Sequence, residues 1–145
     1  MSEQLSAEQS MSLQSGIAAF ETKQFARAQQ LLSPLAEQGQ VDAQYRMAIM
    51  CQNGLGMVAN EKNAEKYMRG AAEQGHAMAQ HGLGFMYMQG ECVEQNDVLA
   101  VEWFQKAADQ ELVGSMTTLA MMYEQGRGVQ QNTEKAQFWY KKAGF

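Results

Sequence analysis

Proline occurs once in this chain of 145 residues, and cysteine and histidine twice each. So little proline leaves long stretches free to be helical. Two cysteines allow at most one disulfide, and Cys51 and Cys92 form no CxxC pair of the zinc-binding kind. His76 and His81 lack the HExxH spacing of a zinc hydrolase. No apolar run approaches the roughly 18 residues of a membrane-spanning helix, so membrane insertion is not expected. Basic residues are outnumbered 11 to 16, giving a net charge of −5. That balance speaks against nucleic acid and against an anionic membrane surface as partners. The opening segment, Met1 to Ser10, is polar and acidic and lacks the basic, apolar, small-residue order of a signal peptide. Cytoplasm is the expected compartment, with periplasm as the alternative if a leader has been removed.

Leu, Ile, Val and Phe together make up less than a fifth of the chain, a share that by itself would suggest disorder. Twelve methionines and frequent alanines supply the missing volume. Alanine lets helices approach closely, and methionine fills irregular gaps.

The chain repeats itself every 36 residues. Gly54, Gly90 and Gly126 are related by this step, as are Asn60, Asn96 and Asn132. So are Ala64, Ala100 and Ala136, and the aromatics Tyr67, Trp103 and Trp139. A fixed period of this length marks a stacked array of supersecondary units. Within one period, Ala79, Leu83, Met86 and Tyr87 fall on one face of a helix. Gly90 can end that helix in the left-handed conformation, and Asn96 can cap a second helix running from about Asp97 to Gln110. That second helix carries Ala100, Trp103, Phe104 and Ala107 on one side. The segments around Met47 and Leu119 read the same way. Before Val41 a looser unit has a short connector, Glu21 to Gln24, without the glycine pair.

No catalytic signature accompanies the pattern. Gly54-Leu-Gly56 and Gly126-Arg-Gly128 lack the Gly-Lys-Ser/Thr ending of a phosphate loop. Neither Ser-x-x-Lys nor Gly-x-Ser-x-Gly occurs. No catalytic residue, metal site or cofactor is therefore expected. Cys51 and Cys92 fall in different columns of the repeat and are expected to be unpaired thiols. The Met50, Met86, Met122 column is expected to pack between helices. The acidic cluster Glu91, Glu94, Asp97, Glu102, Asp109 and Glu111 reads as a solvated face, or else as a surface for a basic partner.

The runs Ala79-x3-Leu83-Gly84-x2-Tyr87-x2-Gly90 and Gly126-Arg-Gly128-Val129-x2-Asn132-x3-Ala136-x2-Trp139-Tyr140-x-Lys142-Ala143 resemble the Sel1-like repeat family, a branch of the tetratricopeptide superfamily. Ala48 and Ala120 depart from the family pattern at its first-helix glycine, and Cys92 departs at the second loop glycine. The resemblance implies an all-α, right-handed superhelical solenoid of about four antiparallel helix pairs. It also implies a single repeat domain over 1–145, with a tetratricopeptide-like unit at 10–38 and Sel1-like repeats at 39–74, 75–110 and 111–145. Family members act as adaptors, often at the bacterial envelope or in secretion and stress signalling.

In such solenoids the first helix of each pair lines the concave face. By resemblance that face draws on Leu13, Ile17 and Phe20, then Tyr45, Ile49 and Gln52. The third repeat adds Met78, His81, Phe85 and Met88, and the fourth adds Thr117, Met121 and Glu124. The expected contact set for a partner peptide or helix is Tyr45, Ile49, Met78, His81, Phe85, Met88 and Met121, with Tyr45 and His81 at its polar margin. A second expected contact edge, suited to a partner helix or a second copy, is Phe138, Trp139 and Phe145. The reading is a protein-binding module. Its rivals are a self-assembling structural subunit and, more remotely, an enzyme.

Overall fold

Asn60, Asn96 and Asn132 each turn a side-chain oxygen onto the backbone N–H three residues ahead, at 3.0, 3.1 and 3.0 Å. Each thereby satisfies a donor that the first turn of a helix leaves unpaired. Gly54, Gly90 and Gly126 adopt φ of 66°, 68° and 67° and end the preceding helices. These two devices set the rhythm of the computed structural model, which describes residues 4–145. Among the described residues there are eight α-helices and no strand. They are α1 (Ala7–Glu21), α2 (Phe25–Glu37), α3 (Val41–Asn53), α4 (Glu61–Glu73), α5 (Ala77–Gln89), α6 (Asp97–Asp109), α7 (Val113–Gln125) and α8 (Thr133–Lys142).

Successive helices form antiparallel pairs. The N–H groups of Asn60, Asn96 and Asn132 reach back to the carbonyls of Cys51, Tyr87 and Tyr123 at 2.8, 2.8 and 2.9 Å. This ties the start of each second helix to the end of the first. Gly70, late in α4, lies against Gln44, early in α3, as an antiparallel pair requires.

Two compact units divide the chain, Met1–Gln74 and Gly75–Phe145. The N-terminal unit packs α1 on α2, α2 on α3 and α3 on α4. Its core includes Leu32, Met47, Met50 and Tyr67. The C-terminal unit packs α5 on α6, α6 on α7 and α7 on α8 around Phe104, Leu119, Met122 and Trp139. Leu83 and Met86 are buried in it as well. The Met50, Met86 and Met122 column is thus interior throughout.

The connector between paired helices needs a second left-handed residue. Gly56 and Gly128 supply it at φ 70° and 73°. A side chain at Gly56 would meet the backbone of Phe25, and one at Gly128 the backbone of Asp97. Cys92 holds the same column at φ 66°, a conformation that costs a residue with a Cβ about 1–2 kcal/mol. Neither Cys51 nor Cys92 is in a disulfide.

Candidate functional site

The candidate residues of the C-terminal unit lie on α5 and α7. Leu83, Phe104, Leu119 and Met122 are fully buried and close the core beneath them. Phe85 and Met121 rest on that core while remaining partly open to solvent. Phe85 meets Phe104 edge to face with ring centres 5.2 Å apart. Met78, one turn before His81 on α5, is 42% exposed. Met78, Phe85 and Met121 therefore offer apolar surface.

His81 is half-buried. Its ring sits edge-on to Phe85 at 4.9 Å and to Phe104 at 5.5 Å, and its Nδ1 is 2.6 Å from Ser115 Oγ. Burial pushes its pKa below the ordinary histidine value. Met88 departs from expectation. It is 7% exposed and belongs to the core cluster, so its side chain has little surface to give a partner. Its backbone carbonyl accepts from the Arg127 guanidinium at 3.0 Å. α5 is thus buried on two sides near its end, against α6 and against the α7–α8 connector, and the position that a helical wheel turns outward is covered.

In the N-terminal unit, Tyr45 and Ile49 lie on α3 and Ile17 on α1, all partly buried. Burial raises the Tyr45 phenol pKa despite the neighbouring Arg46. The Ile49 carbonyl accepts from the Asn53 amide at 2.9 Å. The Arg46 guanidinium stands 5.9 Å over the Phe20 ring, so part of this face is lined by a cation.

The expected C-terminal edge is only partly an edge. Phe138 and Phe145 are 55% and 79% exposed. Trp139 is 7% exposed and packs into the core beside Leu119 and Met122, so it belongs to the interior. The Lys142 ammonium lies over both the Phe138 and Trp139 rings, 5.9 and 5.4 Å from their centres. The Phe145 ring stands edge-on to Tyr140 at 6.2 Å.

Two shallow pockets lie elsewhere. One, in the N-terminal unit, is lined by Ser12, Leu31, Pro34 and Leu35 among others. The other, in the C-terminal unit, is polar and lined by Tyr123, Gln131, Asn132 and Lys135 among others. Neither contains a residue of the expected contact set. Among the described residues no group of three or more His, Cys, Asp or Glu stands together as metal ligands would. No helix there is long and apolar enough to cross a membrane.

Two polar features went unread in the sequence. Tyr67 donates its hydroxyl proton to the Glu37 carboxylate, which also takes Lys66 at 3.3 Å. The Tyr67 and Lys66 hydrogen bonds hold the Glu37 carboxyl below its ordinary pKa. The second feature is a pair of glutamine clamps, Gln74 on Gln44 and Gln110 on Gln80. Glutamine at 74 and 110 obeys the 36-residue step, as it does at 44 and 80, so the recurrence was visible; the pairing of the two columns was not.

The model of the Sel1 repeat matches residues 41–76, 77–112 and 114–144. The structure is similar to that of a Sel1 repeat protein from Oxalobacter formigenes, with a TM-score of 0.85 and 32% identity. That likeness covers 90% of this chain and 54% of the other. It is also similar to a protective antigen present in uropathogenic Escherichia coli strains that displays an SLR fold, with a TM-score of 0.87 and 29% identity. Here 93% of this chain and 30% of the other are covered. This chain thus spans about half the length of the first relative and under a third of the second. No curated protein matches the sequence.

Proposed function

This chain belongs to the Sel1 repeat family, whose members generally mediate protein–protein interactions, and from that premise we propose that it is an adaptor that binds a peptide or helix on the exposed side of its first helices. The fold is of a scaffold type, and the proposed role is binding and not catalysis. One observation carries the reading. Phe85 and Met121 stay partly open although the core beneath them is already closed by Leu83, Phe104, Leu119 and Met122. Apolar side chains that the core does not need, beside an exposed Met78, suit a partner's apolar stripe. Tyr45 and Ile49 are proposed as contacts of the N-terminal unit in their own right. Burying three or four such side chains would supply about 1.5–3 kcal/mol each before the cost of association.

The test is capture of partners from lysate by the immobilised chain, wild type against a Met78→Lys, Met121→Lys variant. These two positions are chosen because Phe85 packs on Phe104, and a charge there would damage the fold. The variant should keep its helical circular dichroism and lose the proteins that wild type retains. Retention of the same proteins would sink the reading.

The 55% and 79% exposure of Phe138 and Phe145 supports a second reading, self-association through α8. Sedimentation of wild type and Phe138→Glu across a concentration series tests it. A wild type that stays monomeric at high concentration removes it.

A further inference from the structure

His81 is a half-buried titratable group that the binding surface does not need. Three helices line its ring, which stays partly open to solvent. Its own helix, α5, contributes Phe85; α6 contributes Phe104; α7 contributes Ser115 and the Gly114 backbone. A Cβ at Gly114 would come within 3.4 Å of the His81 ring. These helices therefore present two phenyl rings, one hydroxyl and a glycine. Burial lowers its pKa from the ordinary histidine value. Ser115 has no solvent exposure at all.

A neutral imidazole fits this setting. One ring nitrogen exchanges a hydrogen bond with the Ser115 hydroxyl, and either tautomer serves. An imidazolium fits less well, because its charge would stand partly withdrawn from water between the Phe85 and Phe104 rings. The repeats beside it avoid the problem. Tyr45 and Thr117 occupy the same column 36 residues on either side, and neither takes up a proton near neutrality.

We propose that His81 makes the α5–α7 seam an acid-sensitive device, closed at neutral pH and loosened when the imidazole is protonated, with the Phe85–Met121 face loosening alongside it. This rests on the packing of the C-terminal unit and not on the reading of that face as a partner surface. The folded value lies below the unfolded one, so the neutral seam gives its full stability above the ordinary value of 6.5. As pH falls through that value the unfolded chain takes the proton first, and stability is lost down to the folded pKa.

The experiment uses the full chain carrying His76→Gln. Gln40 caps α3 as His76 caps α5, each accepting from the N–H three residues on, so this change keeps the cap and leaves His81 as the sole histidine. Its ring is titrated by NMR. Amide hydrogen exchange along α5 and α7, corrected for the intrinsic pH dependence, is measured at pH 7.5 and 5.5, with and without His81→Gln. The expected result is a His81 midpoint below 6.5 and faster exchange of α5 and α7 at pH 5.5, an acceleration largely lost in His81→Gln. A midpoint at or above 6.5 overturns the proposal even if the substituted chain fails to fold. So does an acceleration that persists unchanged in His81→Gln.

Discussion

Gln110 and Gln80 hold each other side chain to side chain, with Gln110 Nε2 at 2.9 Å from Gln80 Oε1 and 2.8 Å from the Gly75 carbonyl. Thirty-six residues earlier Gln74 does the same to Gln44 at 2.9 Å and to the Gly39 carbonyl at 3.0 Å. In each case the residue that ends the second helix of a pair reaches across to the start of the first. The clamp satisfies a carbonyl in the turn before the first helix, together with an amide on that helix. Gln80 is 5% exposed, so its oxygen has little water to turn to.

Removing Gln110 takes its bonds to the Gly75 carbonyl and to Gln80 away together. Gln110→Ala should destabilise the chain by about 1 kcal/mol for each bond lost. Gln80→Met placed in the same chain should recover much of that loss. Methionine is already the residue of this column in the fourth repeat, where Met116 is 3% exposed. Urea unfolding of the two variants and of wild type checks the order. A double variant less stable than Gln110→Ala contradicts it.

The turn that follows the second helix offers a gain instead of a loss. Gly39 and Gly75 sit there at φ 93° and 94°, whereas Glu111, 36 residues on, is held at φ 66° with a side chain. Glu111 is exposed, so little packing is lost by trimming it. Glu111→Gly should stabilise the chain by about 1 kcal/mol, and Gly75→Ala should destabilise it by a similar amount. Thermal unfolding of both variants measures the pair of opposite signs.

Cys51 and Cys92 should differ in reactivity and agree in number. Cys51 is fully buried, and burial raises its thiol pKa. Cys92 sits in a connector and is partly exposed. Alkylation of the native chain should label Cys92 first and Cys51 slowly, because only the thiolate reacts. Thiol titration of the unfolded, unreduced chain should find two sulfhydryls. Finding none in a monomer would contradict the structure.

Helix pairing, caps and glycine turns were legible from the 36-residue step, because a cap or a left-handed turn is decided by one residue and its immediate neighbours. Asn60, Asn96 and Asn132 are such cases. The candidate face was legible only in part. Phe85 and Met121 keep the surface that a helical wheel assigns them, but Met88 and Trp139 do not. A wheel locates a side chain relative to its own helix, and burial depends on what the neighbouring helix and loop bring. For Met88 the cover includes α6 and the Arg127 connector; for Trp139 it is the core of α7. His81 illustrates the same limit, since its ring environment comes from three helices.

The departure at the first-helix glycine has a packing cause that can be tested. Ala48, Gly84 and Ala120 share one column, so a methyl group is tolerated in two repeats and absent from the third. Phe104 faces Gly84 from the second helix, and the 36-residue step puts Met68 and Tyr140 in the column of Phe104. Phe104 is fully buried, and a Cβ built on Gly84 would lie 2.9 Å from its ring. A flexible methionine can move aside, and Tyr140 is only partly buried. Phe104 is wedged between His81 and Phe85 and cannot. Gly84→Ala should therefore cost about 1–3 kcal/mol through overpacking, despite the better helix propensity of alanine. Phe104→Met alone should also destabilise, by leaving unfilled volume beside Gly84. Together the two changes reproduce the residue types that the second repeat has in these columns, Ala48 and Met68, and the double variant should be more stable than the sum of the single losses predicts. A double-mutant cycle by urea unfolding measures this coupling. A coupling energy of zero would mean that Phe104 does not set the residue at Gly84.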